Sequence, residues 1–535
     1  MAKATVIAAQ PEAADAGVAI LDAGGNAVDA AVACAMVQGV VDPQMCGIGG
    51  FGSLLLHIPR SRAIVNVDFH ARVPLAARAD MWESKILCEM DDGFGFALDG
   101  KMNDIGWNSI CTPGTLLGFS EVHREYGRLS WPALLAPAIR CAEDGFRVRP
   151  HVSYCWNHKD KKGLRANNAD RLRVTNYGRS IYCEPDGSPK RLGDRVCNPE
   201  LAETLREVAS EGADTFYKGS MAARICDSVK QNGGMLSDED LRSYQTSWGA
   251  PVGTSYRNIQ LFSNRPPGGG VSLAEMLNIA ECFPLSGMRH NSAEYIHLMV
   301  EVMKFGCLDR ERYVGDPRFV DAPIELLTDK GYASAIAERI KLGERAVVPR
   351  FAINPPTDTT QLITYDDEGW LVTSTHSLGN PSGAIPDGLG FMLNGCMSAF
   401  DPRPGHVNSI APGKSRTSGI CPTIGLRNNH PYLAVGAPGG ANIITSVFST
   451  ILNVVDFRMS AIEAVVAPRF SATGRSVLFQ NRFPSAVIEE LRDQGYPCVI
   501  SESGYGPSGV HLMLIGDGVM SGAADPAYDG VVYQT

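Results

Sequence analysis

The stretch Pro355-Pro356-Thr357-Asp358-Thr359-Thr360-Gln361-Leu362-Ile363 decides how this 535-residue chain is interpreted. The two prolines fix their own φ angles and favour an extended approach, and a pair of threonines then follows an acidic residue. A two-residue alternation of side-chain types predicts strands at 361–365 and 370–374, joined by a turn at Asp366-Asp367-Glu368-Gly369. Thr359 is therefore either an ordinary β-branched sheet residue or a positioned hydroxyl at the start of a strand.

Other motifs accompany this stretch in a definite order. They are Ser377, the run Gly388-Leu389-Gly390-Phe391-Met392-Leu393-Asn394, the loop Gly436-Ala437-Pro438-Gly439-Gly440 and, near the start, Gly24-Gly25-Asn26-Ala27-Val28-Asp29-Ala30-Ala31. Together they resemble the gamma-glutamyltranspeptidases, which are N-terminal nucleophile hydrolases. The resemblance extends from Gly24 to Ala524-Asp525-Pro526. It implies an α/β fold, the four-layer αββα sandwich, in which two stacked sheets lie between helix layers.

The resemblance also implies that the chain is a precursor that cuts its own backbone between Asp358 and Thr359. The products would be a large segment, 1–358, and a small catalytic segment, 359–535, intertwined in one fold. Thr359 would then be the nucleophile and its freed α-amine the general base. This is chemically reasonable, because a hydroxyl is a weak nucleophile until a base takes its proton, and an α-amine titrates near neutrality.

Three further positions match the catalytic residues of the family. Ser377 stands where relatives usually have a second threonine that bonds the nucleophile; the alternative is a loop hydroxyl that bonds its own backbone. Gly439 and Gly440 match the glycines whose N–H groups face the developing oxyanion. A helix predicted at 442–454 would add its positive N-terminal end to this loop. An ordinary strand-to-helix turn is the alternative.

The substrate-recognition positions depart from the family pattern. The arginine that grips the glutamate α-carboxylate falls on His70, and the aspartate that binds the α-amino group falls on Ala399. Cys396 replaces a polar amide, Gly379 replaces an asparagine, and Ser418-Gly419 replaces a pair of serines. A site built to hydrogen-bond a group discriminates strongly through those partners. These changes therefore predict a substrate other than a glutamyl compound.

Two residues are candidates to replace the lost groups. Arg72 ends a strand predicted at 65–72, two residues beyond His70, and would therefore share its face and could receive a carboxylate. Asp401 is the candidate for the lost acid. A substrate with an amide near a carboxylate but no α-amino group could use Arg72. The segment 401–416 is short compared with the lid loop of many relatives, which predicts a more open cleft.

The run Gly47-Ile48-Gly49-Gly50-Phe51-Gly52 satisfies the G-x-G-x-x-G pattern of dinucleotide-binding folds. A Rossmann loop leaves a strand and enters a helix, whereas this run leaves a helix predicted at 27–37, capped by Asn26, and enters a strand predicted at Phe51–Ile58. A tight backbone turn beside the active site is therefore the favoured interpretation, and nucleotide binding is the alternative.

Composition argues against several classes of function. The net charge of −10, without a concentrated basic face, argues against a nucleic-acid partner. No apolar run reaches membrane-spanning length. The 14 cysteines occur singly, without zinc-site spacing, and predict free thiols in a reducing compartment. We therefore expect a cytoplasmic protein, without a signal peptide, metal or organic cofactor.

These inferences predict a threonine hydrolase that cleaves a small amide through an acyl-enzyme on Thr359, with water as the acceptor. The expected partners are a small-molecule amide and the protein's own two fragments, and a homo-oligomer of the processed unit stays open. Two other functions also stay open. One is a true γ-glutamyl hydrolase or transferase that acts on glutathione-like donors, and the other is an unprocessed, non-catalytic binding homologue.

Overall fold

The computed structural model describes residues 4–91, 95–349, 359–501, 508–516 and 519–534. Asp358, at the predicted cleavage point, lies outside these ranges. Within them the strands are, in chain order, β1 (Thr5–Ala8), β2 (Phe51–Ile58), β3 (Ala63–Phe69), β4 (Ile86–Glu89), β5 (Phe96–Leu98), β6 (Phe146–Arg147), β7 (Arg195–Val196), β8 (Ser247–Gly249), β9 (Val252–Tyr256), β10 (Ile259–Ser263), β11 (Thr360–Tyr365), β12 (Leu371–Ser377), β13 (Thr423–Arg427), β14 (His430–Gly436), β15 (Phe470–Ser471), β16 (Val477–Phe479), β17 (Cys498–Ile500), β18 (His511–Gly516), β19 (Val519–Ala524) and β20 (Val531–Gln534).

The α-helices of the same ranges are α1 (Pro11–Asp22), α2 (Ala27–Val41), α3 (Thr115–Tyr126), α4 (Trp131–Asp144), α5 (Pro150–Trp156), α6 (Asn168–Arg171), α7 (Asn176–Tyr182), α8 (Pro199–Glu211), α9 (Asp214–Lys218), α10 (Ser220–Gln231), α11 (Asp238–Ser243), α12 (Gly270–Glu281), α13 (Ala293–Tyr313), α14 (Ile324–Leu327), α15 (Lys330–Lys341), α16 (Ile443–Val455), α17 (Ala461–Val466) and α18 (Ser485–Asp493). None of the described helices is long and apolar enough to cross a membrane.

Two antiparallel sheets form the centre of the molecule. The strand order is β20-β1-β11-β12-β2-β3-β8 in the first sheet and β19-β18-β14-β13-β10-β9 in the second. Both sheets mix strands from either side of the predicted cleavage point. In the first sheet, the hairpin β11–β12 pairs with β1 on one side and with β2 on the other. The two predicted segments therefore share one hydrogen-bonded core.

The sheets stack face to face between two helix layers, which is the αββα sandwich that the sequence predicted. Alternate residues of β2 show the arrangement. Leu55 packs with Ile7 and Ile363 between the sheets, whereas Leu54 and Leu56 point to the other face and join the helix-covered core. Helices α1, α2 and α3 cover the first sheet, and α12, α16 and α17 cover the second.

Helix α2 ties the hairpin to the first helix layer. Asn26 caps it as predicted, with reciprocal bonds between Asn26 and Asp29. The helix ends at Val41 instead of residue 37. The added turn contains Gln38, whose Nε2 donates to Thr360 Oγ1 at 3.0 Å. The extension therefore places a buried amide behind the start of β11.

Strand β3 differs from its prediction at its C-terminal end. It stops at Phe69, and the chain then leaves the sheet. Arg72 makes isolated bridges to Thr112 and Ser415. The predicted strand at 65–72 is therefore too long, because the backbone partners of Arg72 belong to loops. The alternation of side chains between the two faces of β3 therefore does not extend to Arg72.

Candidate active site

The hydroxyls of Thr359 and Ser377 meet where the hairpin β11–β12 opens. Thr359 Oγ1 donates to Ser377 Oγ at 3.1 Å, and the backbone N–H of Gly379 donates to the same Ser377 oxygen at 2.8 Å. Ser377 thus makes both contacts considered for it, the one to Thr359 and the local one to the backbone. Thr359 is only 6% exposed.

A small cavity of about 10 Å³ adjoins these hydroxyls, and this volume suffices for about one water molecule. It brings together most of the predicted site and several residues that were not predicted. The lining residues are Phe51, Thr359, Ser377, Gly379, Asn380, Arg416, Ser418, Gly419, Ile420, Gly440 and Ile443.

The glycine loop before α16 forms one wall of this cavity. Gly439 and Gly440 have φ angles of +134° and +58°, which side-chain-bearing residues rarely adopt. Gly440 lines the cavity, and Ile443 there begins α16, so the N-terminal end of that helix lies at the site. Gly419 packs against this loop: a Cβ on it would lie 2.5 Å from the Gly440 carbonyl oxygen. A serine at position 419, which the family resemblance implies, would therefore not fit without a shift.

The glycine-rich run 47–52, which leads into β2, packs against the opposite wall of this cavity. A Cβ on Gly50 would lie 2.4 Å from the Ser377 carbonyl oxygen, so only glycine permits this close approach. The run connects α2 to β2, as the favoured interpretation required. Within the described ranges, no group of three or more His, Cys, Asp or Glu side chains is arranged to hold a metal ion.

Arg416 is a cavity residue that the sequence did not reveal. It is 4% exposed, and its guanidinium stacks 4.8 Å from the centre of the Phe51 ring. A Cβ on Gly379, whose φ is +64°, would lie 2.9 Å from its Nη1, so a side chain at this position would have to displace the guanidinium. Burial raises the pKa of Cys396 to about 12, while the charge and hydrogen bond of Arg416 act in the opposite direction. The only sequence feature that could have indicated Arg416 was its position two residues before Ser418.

His70 reaches the cavity through Ser418. Its ring is buried, with Nδ1 2.5 Å from Asp68 Oδ2 and Nε2 2.7 Å from Ser418 Oγ. Arg72, in contrast, is not among the described lining residues. Its guanidinium donates to the Gln245 carbonyl oxygen at 2.5 Å and stacks on Tyr244 at 4.9 Å. The expectation that Arg72 shares a strand face with His70 is wrong, because β3 has already ended.

Ala399 and Asp401 lie in a second, larger cavity of about 270 Å³, which shares Gly419 with the small one. The Asp401 carboxylate accepts bonds from the Arg403 guanidinium at 2.9 and 2.6 Å. Its negative charge is therefore already matched by a cation. Cys396 is fully buried and lies beside Arg416, outside the described lining of either cavity.

Comparisons with known proteins identify the same architecture. The family model "Gamma-glutamyltranspeptidase" matches residues 13–535. The "Acylase ACY 1 proenzyme" of Pseudomonas sp. (strain SE83) is 33% identical over 533 residues, which cover 98% of this chain and 92% of that protein. The "Glutathione hydrolase proenzyme" of Escherichia coli (strain K12) is 31% identical over 533 residues, with coverage of 95% and 88%.

A solved structure, that of cephalosporin acylase from Bacillus halodurans, superposes with a TM-score of 0.87 at 28% identity. The match covers 99% of this chain and 96% of that one. Two sequence relatives, named as an acylase and a glutathione hydrolase, and a solved cephalosporin acylase are thus similar to this chain along almost its whole length.

Proposed function

The chain belongs to the gamma-glutamyltranspeptidase family of N-terminal nucleophile hydrolases, and we propose that it cuts itself before Thr359 and then hydrolyses a small non-glutamyl amide through an acyl-enzyme on that residue. The observation that carries this proposal is the 3.1 Å hydrogen bond between Thr359 and Ser377 at a cavity bordered by Gly440. A hydroxyl, an orienting partner and backbone N–H groups are the parts that acyl transfer requires.

Self-cleavage is supported by the backbone at Thr359. Its φ of +143° is rare for a β-branched residue and implies strain. In the proposed step, Oγ1 attacks the carbonyl carbon of Asp358, the peptide C–N bond breaks, and the hydroxyl proton passes to the departing nitrogen, which leaves an ester and a free α-amine. Water then hydrolyses the ester to the Asp358 carboxylate and restores the Thr359 hydroxyl.

Turnover would use the same groups. The α-amine of Thr359 takes the Oγ1 proton as the oxygen attacks the substrate carbonyl, and the N–H groups of Gly439 and Gly440 stabilise the oxyanion. The amide C–N bond breaks, and the proton passes to the departing amine. Water then releases the acid from the ester. Ser377 holds Oγ1 in position during both stages.

A non-glutamyl substrate is favoured by the recognition positions. A glutamyl α-ammonium needs a carboxylate, but Ala399 has none and the Asp401 carboxylate is paired with Arg403. An ammonium without such a partner is costly to bury. The alternative, a γ-glutamyl activity like that named for the E. coli relative, requires another acid to take this role.

Gel electrophoresis and mass spectrometry of the purified protein test the proposal. We expect two fragments on a denaturing gel, and the smaller one should gain the mass of an acyl group when an amide substrate is added. Thr359→Ala should abolish both results. An intact wild-type chain would favour the non-catalytic homologue instead. Assembly beyond the two fragments and the cytoplasmic location stay predictions.

A further inference from the structure

The layer between the two sheets changes from apolar to polar along its length. At one end, Ile363, Leu371 and Ala434 belong to a single buried hydrophobic cluster. Side chains alternate between the two faces of a strand, so the residues two positions nearer to the candidate site share this inter-sheet face. These residues are Gln361 on β11 and Gly436 on β14. Beside the site, the layer therefore contains a buried amide and a glycine.

The amide of Gln361 is completely buried and fully hydrogen-bonded. Its Nε2 donates to the Leu362 carbonyl oxygen at 2.9 Å and to Thr373 Oγ1 at 2.8 Å, and its Oε1 accepts from the Thr375 hydroxyl. A carbonyl oxygen only accepts hydrogen bonds, so the amide nitrogen must face Leu362. The amide therefore has one orientation, and a buried network whose members are all bonded is rigid.

Gln361 packs directly on the last residue of β14. A Cβ on Gly436 would lie 2.4 Å from Cδ and Oε1 of Gln361 and 2.5 Å from its Nε2. Gly436 is not among the described residues with a positive φ, so its backbone conformation would permit a side chain. The amide of Gln361 is what excludes one, and the two strands approach each other closely at this point.

This contact joins the two halves of the proposed catalytic machinery. The hairpin β11–β12 holds Thr359 and Ser377 together within the first sheet. The Gly439-Gly440 loop continues from the second sheet, three residues after Gly436. The separation between the hydroxyls and the loop therefore depends on how side chains pack between the sheets, and Gln361 is the side chain that packs where β14 ends.

We propose that Gln361 is a positioning residue, which holds β14 at a fixed separation from β11 and thereby places the Gly439-Gly440 loop relative to Thr359. The inference rests on the proposed acyl transfer, in which this loop stabilises the oxyanion. Such N–H donors act only when they lie about 2.7–3.1 Å from the developing oxyanion. A flexible apolar side chain such as methionine could fill the same space, but it would not be held in one conformation.

Acylation of Thr359 by 4-nitrophenyl acetate tests the inference, because this activated ester requires little recognition of its acyl group. In the reaction, Oγ1 attacks the ester carbonyl, the α-amine takes the hydroxyl proton and 4-nitrophenolate leaves. Rapid mixing gives the rate constant of the nitrophenolate burst. Mass spectrometry should find the acetyl group on the small fragment of the wild-type protein and not on Thr359→Ala.

A double-mutant cycle measures the coupling between the two strands. Gln361→Ala and Gly436→Ala should each lower the acylation rate constant by roughly 10- to 100-fold, because a misplacement of about 1 Å can cause a loss of this size. The double variant should be no slower than Gln361→Ala, since the new Cβ at position 436 then has room. Losses that multiply in the double variant would overturn the inference.

Two further readouts separate positioning from a general loosening of the fold. Self-cleavage requires Thr359 and Ser377, which share one hairpin, so Gln361→Ala should still be cut at a rate near that of the wild type. Thr364→Val is the matched control, because the Thr364 hydroxyl donates to the Ala27 carbonyl oxygen at 2.6 Å on the other face of β11. It should lower the melting temperature and keep the wild-type acylation rate. A parallel loss of self-cleavage in Gln361→Ala, or an equal loss of acylation in Thr364→Val, would contradict the proposal.

Thr375→Val guards against Gln361 variants that do not fold. It keeps Gln361 and the side-chain volume at position 375 but removes the hydroxyl that donates to the amide oxygen. Acylation should be slower by roughly tenfold, because one hydrogen bond that fixes the amide is lost. A wild-type rate in this variant would refute the role of the fixed amide.

The proposed function and the positioning role fail in different ways. If 4-nitrophenyl acetate leaves no acetyl group on Thr359 of the wild-type protein, the proposed function is wrong and the role of Gln361 with it. If Thr359 is acetylated but Gln361→Ala and Gly436→Ala both react at the wild-type rate, only the positioning role is wrong.

Discussion

Gln38 on α2 accepts a hydrogen bond from His376 on β12, with His376 Nε2 and Gln38 Oε1 2.9 Å apart. The same amide donates to Thr360 Oγ1 at 3.0 Å. Burial lowers the pKa of His376 to about 3, so the ring stays neutral and fixes the orientation of the Gln38 amide. Helix α2 thereby holds the residue that follows the predicted nucleophile.

Acid should destabilise the protein through its buried histidines. Burial lowers the pKa of His376 to about 3 and those of His151 and His511 to about 4, against an ordinary value of about 6.5. The unfolded chain therefore binds these protons first. Stability is complete above about pH 6.5 and falls as the pH drops toward the folded values, by up to about 1.4 kcal/mol per pH unit for each ring.

Thermal unfolding at pH 7.5 and 5.0 measures this effect. The melting temperature should be lower at pH 5.0, and His376→Gln, which retains a donor for Gln38, should show a smaller difference. Equal melting temperatures at the two pH values in the wild-type protein would contradict the assignment of neutral buried rings.

Self-cleavage should occur between Asp358 and Thr359. N-terminal sequencing of the small fragment should begin at Thr359, and Thr359→Ala should remain a single chain without turnover. Thr360→Ala is the matched control, since that hydroxyl contacts Gln38. This variant should still be cut at the same bond. A fragment that begins at another residue would disprove the assignment.

Ser377→Ala should slow self-cleavage and turnover together, each by roughly tenfold, because one orienting hydrogen bond to Thr359 is lost. Ser377→Thr, which keeps the hydroxyl, should retain most of both rates. Time courses of cleavage on gels and steady-state kinetics give the two numbers. If both rates in Ser377→Ala match those of the wild type, Ser377 has no part in the mechanism.

Gly419→Ala should lower kcat by roughly tenfold or more, because its Cβ would lie 2.5 Å from the Gly440 carbonyl oxygen and must displace the glycine loop. Gly287→Ala is the control, since a Cβ there meets no atom within 4 Å. The control should have wild-type kinetics. A wild-type kcat in Gly419→Ala would show that the position of the Gly439-Gly440 loop is not critical for catalysis.

γ-Glutamyl-4-nitroanilide should be a poor substrate of the wild-type protein, because its ammonium has no matched acid. Ala399→Asp combined with His70→Arg should improve it, since both charges that the family resemblance implies at these positions are then present. A wild-type kcat/KM of about 10⁴ M⁻¹s⁻¹ or more would be ordinary for a good substrate and would reject the prediction.

Much of the fold was predictable because it follows from local patterns. Alternation predicted the hairpin β11–β12, and small polar and glycine residues at its turn are typical of such connections. The capping role of Asn26 and the strand Phe51–Ile58 were likewise correct. Family motifs placed Thr359, Ser377 and Gly440 in one site, and the structure brings them to one cavity.

The sequence by itself thus determined the family, the layered fold and the paired hydroxyls of Thr359 and Ser377. These features depend on residues close together in the chain or on motifs in a definite order. Tertiary structure alone decided which distant side chains meet around the cavity beside Thr359. It ended β3 before Arg72, brought Arg416 against Phe51, and joined His70 to Ser418, 348 positions away. Such contacts arise when distant loops pack on the ends of the sheets, and no local periodicity encodes which side chains meet there.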